Sequence, residues 1–261
     1  MANFVDTLPM DFISNEDFSA QRSETLREIL ALKHMRRVAL GPDMTVVFEH
    51  PRLIWWHIQE MLRLEQGGSA QLQEEWAVYS PLLPGPDSIT VTMMIEIHDP
   101  VVRKKELRKR VGIEDALFLE GAGFRIRSQS IDMGAGLGAG QENSQKSQEA
   151  QEKQGENFCF GQEGSGGSEQ IKEAVQEDGT MVAREEDGAG ADRLPSEDGA
   201  SKKTSSVHFL RFPLSQWERK IFAMGEPVLS CQHPHALYRT PLATGLWNAL
   251  CHEIGVVPLK Y

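Results

Sequence analysis

Four polar side chains interrupt apolar segments that are typical of strands. Glu49 ends TVVFE, Glu96 lies in MMIEIH, and SVHFLRF contains both His208 and Arg211. A carboxylate inside a sheet is costly unless it is paired or hydrogen-bonded. If these strands are neighbours, their polar groups could converge on one pocket, joined by two residues of the helix that follows the first strand. The candidate polar pocket comprises Glu49, Gln59, Glu60, Glu96, His208 and Arg211.

Two interpretations of this group stay open. Carboxylates beside an imidazole can transfer protons, and His208 would then be the acid or base of a small metal- or carboxylate-dependent enzyme. The same residue types also form ordinary ion pairs on a solvent-facing side of a sheet, with Arg211 or Arg125 as the partner of the acids. The sequence therefore identifies a candidate pocket but no catalytic residue.

Possible metal ligands lie close together in the segment SCQHPHALY, which contains Cys231, His233 and His235. Zinc sites need four N, S or O ligands, usually in spaced pairs such as CxxC, and the chain contains no CxxC motif. His233 and Tyr238 are kept as secondary binding candidates. Metal and any other cofactor stay unassigned.

A basic segment follows the strand of Glu96. Asp99 and Pro100 begin a predicted helix that ends at Gly112, and its positive charges could meet phosphates or an acidic partner. No aromatic residues are interleaved with these charges and no known nucleic acid-binding motif accompanies them, which argues against nucleic acid and favours a solvated helix face. The basic patch comprises Arg103, Lys104, Lys105, Arg108, Lys109 and Arg110.

The acidity of the chain is concentrated in one segment. The net charge is −11 over 261 residues, yet residues 141–200 alone contain 15 acidic and 5 basic side chains. This segment is rich in Gly, Gln, Glu and Ser, and it has too little apolar surface to offset an ordering cost of about 1–2 kcal/mol per residue. We predict a disordered insertion at 130–203 between two parts of one folded domain, 1–129 and 204–261.

The two flanking blocks mix strands and helices without regular alternation. Ile89, Val91, Met93 and Ile95 occupy every second position, which predicts a half-buried strand. RVAL and MTVVFE, joined by GPD, predict a hairpin, and so does DALFLEGAGFRIRSQ. The mixture predicts an α+β fold, with a mainly antiparallel sheet and helices packed on it.

The predicted helices have recognisable ends. Ser23 is a plausible N-cap for SETLREILALKHMRR, Pro51 suits the first position of the next helix, and Gly67 suits its end. Further helices are predicted in SAQLQEEWAVY, SQWERKIFAMG and TPLATGLWNALCHEIG. No run approaches the roughly 20 apolar residues of a membrane span, and the N-terminal segment lacks the features of a secretory signal, so we expect a cytoplasmic protein.

Several segments together resemble a known bacterial family. These segments are RRVALGP, TVVFE, IQEMLRLE, TMMIEIHDP, VGIED, SSVHFLRF and HPHALY. They are similar, in the same order, to the family labelled domain of unknown function 3501 (DUF3501), in which the connection that corresponds to the insertion is short. The resemblance implies a cytoplasmic protein that is often encoded beside rubrerythrin-like and iron–sulfur proteins. It thereby implies a link to redox or peroxide physiology.

Three classes of function remain. The first is a non-enzymatic accessory or binding protein, with rubrerythrin-like or iron–sulfur proteins as possible partners and no membrane association. The second is the metal- or carboxylate-dependent enzyme, using Glu49, Glu96 and His208. The third is a nucleic acid-binding or regulatory module that uses the basic helix. The chain contains no GxSxG, P-loop or Rossmann glycine motif, and the first class leads because no complete catalytic group is present.

Overall fold

The structure, a computed structural model, describes residues 11–133 and 203–258. The helices of these ranges are α1 (Asn15–Arg36), α2 (Pro51–Glu65), α3 (Gly68–Tyr79), α4 (Pro100–Lys109), α5 (Gln216–Phe222) and α6 (Thr244–Glu253). The strands are β1 (Arg37–Ala39), β2 (Met44–Phe48), β3 (Ser88–Ile95), β4 (Leu117–Gly121), β5 (Phe124–Arg127), β6 (Gln129–Ser130), β7 (Val207–Pro213), β8 (Val228–His233) and β9 (Ala236–Pro241). Short 3₁₀ turns lie at Ser80–Leu82 and Ile113–Ala116.

The strands form two antiparallel sheets. The first sheet has the order β1-β2-β3-β7-β6, and the second has the order β5-β4-β8-β9. One large apolar core is shared by residues of both sheets, with Met93 of the first and Leu229 of the second completely buried in it. The predicted α+β class with mainly antiparallel strands is confirmed.

Helices α1, α2 and α3 cover the other face of the first sheet. Val47 and Met94, which alternate with core residues of β2 and β3, pack in an apolar cluster with α1 and α2. On this second face of β3, Ser88 and Thr90 are buried, while Thr92 and Met94 are partly buried. The helical layer therefore covers more of the strand than the half-buried pattern predicted. Thr90 on that face is 0% exposed, and its hydroxyl group donates to the Leu82 carbonyl at 2.6 Å.

Strands from before and after the predicted insertion are neighbours in the first sheet. β3 pairs with β7 in an antiparallel register that places Thr92 opposite Phe209 and Met93 opposite His208. From residue 134 to residue 202 the predicted insertion lies outside the described residues, and so does Cys159.

The chain crosses from the second sheet to the first at Ser128. Its backbone N–H donates to the Leu117 carbonyl at 2.9 Å, as in the β4–β5 ladder, while its hydroxyl group donates to the Glu114 carbonyl at 2.7 Å. The next residue, Gln129, pairs with Arg211 of β7 instead. β5 and β7 therefore diverge at this corner.

Two helix ends differ from the prediction. α1 begins about two turns earlier than expected, because Ser14 rather than Ser23 accepts the hydrogen bond of an N-cap, from the Asp17 N–H. α2 begins at Pro51 as predicted, but it ends at Gln66, whose φ of 56° is left-handed, one residue before Gly67. The Ser14 side chain thus caps the start of α1, whereas α2 ends through the backbone of Gln66, whose N–H donates to the Leu62 carbonyl.

The hairpin of β8 and β9 was not predicted from the sequence. Its turn lies within the segment HPHA, whose histidines were considered as metal ligands without a metal being assigned. The hairpin of β1 and β2 was predicted, and its Gly41 has a φ of 79° beneath the Tyr238 ring of β9. Among the described residues, no helix combines the length and apolar character needed to cross a membrane.

Candidate functional site

Glu49 follows β2 and is buried, with 8% of its surface exposed. The Thr92 hydroxyl group donates to its carboxyl Oε1 at 2.6 Å. Burial raises the pKa of Glu49, although the Thr92 hydrogen bond and the charges of Lys33 and Arg36 oppose the shift. The group thus retains a proton to higher pH than an ordinary glutamate does.

Two histidines near these cations are held neutral. His50 caps α2 by accepting the Arg52 N–H on Nδ1, and burial, with a contribution from Arg36, lowers its pKa to about 4. Burial, with the charge of Lys33, likewise lowers the pKa of His57 to about 4. His57 packs edge-on against Tyr79 at 4.2 Å between ring centroids, and its buried Nε2 has no hydrogen-bond partner.

Glu96 forms an ordinary ion pair near the β1 edge of the first sheet. Its two carboxylate oxygens each lie 2.9 Å from Nη2 of Arg37, and one accepts the Thr45 hydroxyl group at 2.6 Å. Its side chain remains 29% exposed. This geometry agrees with the interpretation of Glu96 as part of a solvated ion pair.

The two pocket candidates of α2 bind the N-terminal part of the chain. Gln59 is completely buried and exchanges two hydrogen bonds with the backbone of Ile13. Glu60 lies 2.6 Å from Arg22 and 2.9 Å from Arg63. Burial opposes ionisation of Glu60, but these arginines outweigh it and lower the pKa of the carboxyl group. Both side chains hold α1 and its preceding segment against α2.

His208 fastens the start of β7. Its Nε2 lies 2.9 Å from the Ser205 carbonyl and 3.2 Å from the Thr204 hydroxyl group, and its Nδ1 lies 3.9 Å from Glu114. Burial lowers the pKa of His208, against the opposing charge of Glu114. The Thr204 N–H in turn donates to the Leu107 carbonyl of α4. The contacts of His208 are those of a packed strand residue.

The six pocket candidates do not line one pocket. Successive residues of a strand point to opposite faces, and paired residues share a face. Glu49 binds Thr92, whereas His208 is paired with Met93, so the two groups lie on opposite faces of the first sheet. Arg211 donates to the Pro81 carbonyl at 3.0 Å. The prediction that these six residues share one pocket is therefore corrected, because Glu49 and His208 lie on opposite faces of the sheet.

The candidate metal ligands and binding residues near the C-terminal end of the chain make other contacts within the fold. Cys231 is buried in the shared core, and burial raises the pKa of its thiol. His233 contacts the Val111 carbonyl through Nε2 at 3.3 Å and accepts the His235 N–H on Nδ1. Tyr238 packs over Gly41. Within residues 11–133 and 203–258, no three His, Cys, Asp or Glu side chains are grouped to hold a metal ion.

One member of the predicted basic patch is not on the surface. Arg110 is only 4% exposed and lies 2.6 Å from Asp43 in the turn between β1 and β2. Its position at the end of α4 turns it inward, so that it joins the helix to the first sheet. The other five basic residues stay accessible to differing degrees, and Lys109 pairs with Glu106 at 2.7 Å.

A group that the sequence analysis did not assemble lies on the outer side of the second sheet. Core residues of β4, β5, β8 and β9 face the first sheet, and the alternate residues face away from it. We call this outer surface the arginine face. It comprises Phe118, Glu120, Arg125, Arg127 and Arg239.

Two of the guanidinium groups on the arginine face share the Glu120 carboxylate, and the third, that of Arg127, lies 3.7 Å from the Asp115 carboxylate. Glu120 lies 3.6 Å from Arg125 and 3.1 Å from Arg239, and its own side chain is only 16% exposed. Arg125 also stacks over the Phe118 ring at 4.0 Å. Arg127 donates to the Asp115 carbonyl at 2.7 Å. The side chains of Arg125, Arg127 and Arg239 remain 49%, 59% and 69% exposed, so their charge is open to an external anion.

Ser230 lies within the same surface, between Phe118 and Arg239 in the strand register. It is 0% exposed, and its hydroxyl oxygen has no hydrogen-bond partner. The alternation in FRIR could have placed Arg125 and Arg127 on one side of β5. Arg239 could not be added, because β9 was not predicted as a strand.

Comparison with known proteins identifies relatives without an assigned activity. No curated protein matches the chain. A solved structure described as a novel protein of unknown function from Burkholderia pseudomallei K96243 is similar, with a TM-score of 0.64 and 19% identity over 96% of this chain and 98% of that chain. At this identity the likeness shows the fold alone.

The family described as "Protein of unknown function (DUF3501)" matches residues 8–145, which is more than half of the chain. This match agrees with the family that the sequence motifs resemble. The chain therefore belongs to the DUF3501 family of proteins of unknown function.

Proposed function

We propose that this protein is a non-enzymatic accessory protein whose arginine face binds an acidic partner protein. The observation that carries the proposal is the excess of exposed guanidinium groups on one side of the second sheet, where three of them face only the carboxylates of Glu120 and Asp115. Arginine binds carboxylates through two parallel hydrogen bonds and is enriched at protein interfaces. The remaining candidate acids and histidines make separate contacts inside the fold, which supports binding over catalysis.

The shape of the surface favours a protein over a nucleic acid. Arg127 and Arg239 lie on the two edge strands of the second sheet, about 14 Å apart at the usual strand spacing. Single-stranded nucleic acids bind such sheets by stacking bases on exposed aromatic rings. The aromatic ring of the arginine face is Phe118, and Arg125 already stacks over it. A protein surface that carries carboxylates can bind the arginines without stacking on an exposed aromatic ring.

The partner class follows from the family resemblance. Rubrerythrin-like or iron–sulfur proteins are the proposed partners, and redox or peroxide physiology in the cytoplasm is the proposed setting. The accessory role requires direct association, so it can be tested without knowledge of any reaction.

The test uses the purified full chain and a purified rubrerythrin-like or iron–sulfur protein encoded beside it, with biolayer interferometry at low and high salt. One variant carries Arg125→Gln, Arg127→Gln and Arg239→Gln. The matched control removes the same charge from α4 through a second triple substitution. The control variant carries Lys104→Gln, Lys105→Gln and Arg108→Gln.

We expect the arginine-face variant to bind the partner about tenfold more weakly, corresponding to about 1.4 kcal/mol, and the α4 control to bind as the wild type does. Binding should also weaken as salt rises. Equal losses in both variants, no binding of either neighbour, or stronger retention of a single-stranded oligonucleotide than of the partner would each contradict the proposal. Urea unfolding of both variants verifies that they are folded.

A further inference from the structure

An open groove of about 440 Å³ lies beside β5, where β5 and β7 diverge. One side is formed by Arg125, Ile126 and Arg127, and residues that end β7 and lead into α5, including Leu214 and Ser215, also line it. The groove is continuous with the arginine face, because both contain Arg125 and Arg127. It is therefore a place where a bound partner could extend beyond that face.

Among residues 11–133 and 203–258, no strand pairs with β5 on the side of this groove. In an antiparallel pair, every second residue directs its N–H and C=O groups toward the partner strand. Ser128 donates to Leu117 of β4, so Ile126, two residues earlier, also faces β4. The N–H and C=O groups of Arg125 and Arg127 then point away from β4. β5 is an edge strand of the second sheet, and on this side these groups meet the groove.

An exposed strand edge is a template for an added strand. The side chains of Arg125 and Arg127 point to the same side of β5, two residues apart, and cover about 7 Å of its length. An added strand would place its own side chains next to them at the same spacing. Acidic residues at these two positions would be stabilised, and the residue between them would point to the same side as Ile126, which lines the groove together with Leu214.

The same charges disfavour a second copy of this chain as the occupant. Pairing of β5 with β5 of another molecule would bring arginines of the two copies together, and like charges on neighbouring strands are destabilising. Asp87 and Glu218 also line the groove, so acidic side chains are favoured only beside the arginines of β5. The occupant that fits is an extended segment in which acidic and apolar residues alternate.

We propose that the groove binds an acidic–apolar–acidic segment of the partner protein, which adds to the free edge of β5 as a further strand. This inference rests on the proposed function, since it names the recognition mode of the same partner. The strand-addition proposal requires backbone hydrogen bonds between β5 and the partner. Binding to the arginine face alone requires only complementary charge.

The test uses a fluorescein-labelled peptide of the sequence SEVEVES with blocked ends, measured by fluorescence polarisation against the full chain. Two further peptides carry N-methyl groups on the backbone, one at every valine and one at every glutamate. Only alternate N–H groups of an added strand face β5. One methylated peptide should therefore bind at least tenfold more weakly than the parent, and the other should bind like the parent.

Hydrogen exchange provides a second readout, because the amide protons of Arg125 and Arg127 should become protected when the parent peptide binds. Equal binding of all three peptides, no binding of the parent up to millimolar concentration, or unchanged exchange would overturn strand addition. Arg239→Gln separates the two proposals, since Arg239 does not line the groove. This substitution should weaken binding of the partner protein and leave binding of the peptide unchanged.

Discussion

Substitution of His57 by glutamine should flatten the pH dependence of stability. Burial, with the charge of Lys33, lowers the pKa of His57 from 6.5 to about 4, against an opposing effect of Glu60. Because the folded-state pKa lies below the unfolded value, the unfolded chain binds more protons at pH 5 than the folded chain does. The stability contributed by neutral His57 is present above pH 6.5 and is lost as the pH falls through 6.5 toward 4. From these values the loss at pH 5 is about 2 kcal/mol.

Urea unfolding of the wild type and His57→Gln at pH 7.5 and pH 5.0 measures this difference. Between pH 7.5 and pH 5.0, the free energy of unfolding of the wild type should fall by about 2 kcal/mol more than that of the variant. This difference does not depend on how much the substitution destabilises the protein at pH 7.5. Titrating groups common to both proteins, such as the buried Glu49, cancel in the comparison. His252→Gln, at an exposed position of α6, is the matched control and should behave like the wild type. Equal pH dependence of His57→Gln and wild type within about 0.5 kcal/mol would refute the reasoning.

Two further predictions concern the packing around Gly41 and the burial of the thiols of Cys231 and Cys251. Gly41→Ala should destabilise the protein by roughly 2 kcal/mol in urea unfolding, because its φ is 79° and an added Cβ would lie 2.6 Å from the Tyr238 ring. Combination with Tyr238→Ala should cost less than the sum of the two single changes, and strict additivity would contradict this contact. In a Cys159→Ser background, folded protein should not react with Ellman's reagent, since burial raises the pKa of Cys231 and raises that of Cys251 to about 12. Rapid labelling without denaturant would show that these thiols are accessible.

Local sequence signals located most helices and strands but not the layers that cover them. The alternation of Ile89, Val91 and Met93 identified β3, and Pro51 marked the start of α2. The second face of β3 looked exposed because it carries Thr90 and Thr92. The Thr90 hydroxyl group is buried against the Leu82 carbonyl and the partly buried Thr92 hydroxyl group binds the Glu49 carboxyl group, contacts outside β3 that single-strand periodicity does not show.

The prediction of one candidate pocket was incorrect because the sequence does not give the register between two paired strands. Alternation places Glu96 or His208 on one side of its own strand, but it does not relate the sides of two different strands. Pairing of His208 with Met93 rather than Thr92 puts it on the face opposite Glu49. A shift by one residue would have brought the two groups to the same face. The arginine face was missed for a different reason, since Arg239 lies on β9, which was not predicted as a strand.

The chain leaves and re-enters the first sheet at neighbouring strands. Ser130 of β6 is paired with Leu210 of β7, and the Ile131 N–H donates to the Phe209 carbonyl at 2.8 Å. Because the two anchor points are held side by side, doubling the length of the connection adds only about 0.6 kcal/mol to its closure cost. We therefore expect that the segment between 133 and 203 can be exchanged, shortened or replaced by a reporter domain while the two-sheet scaffold stays the same.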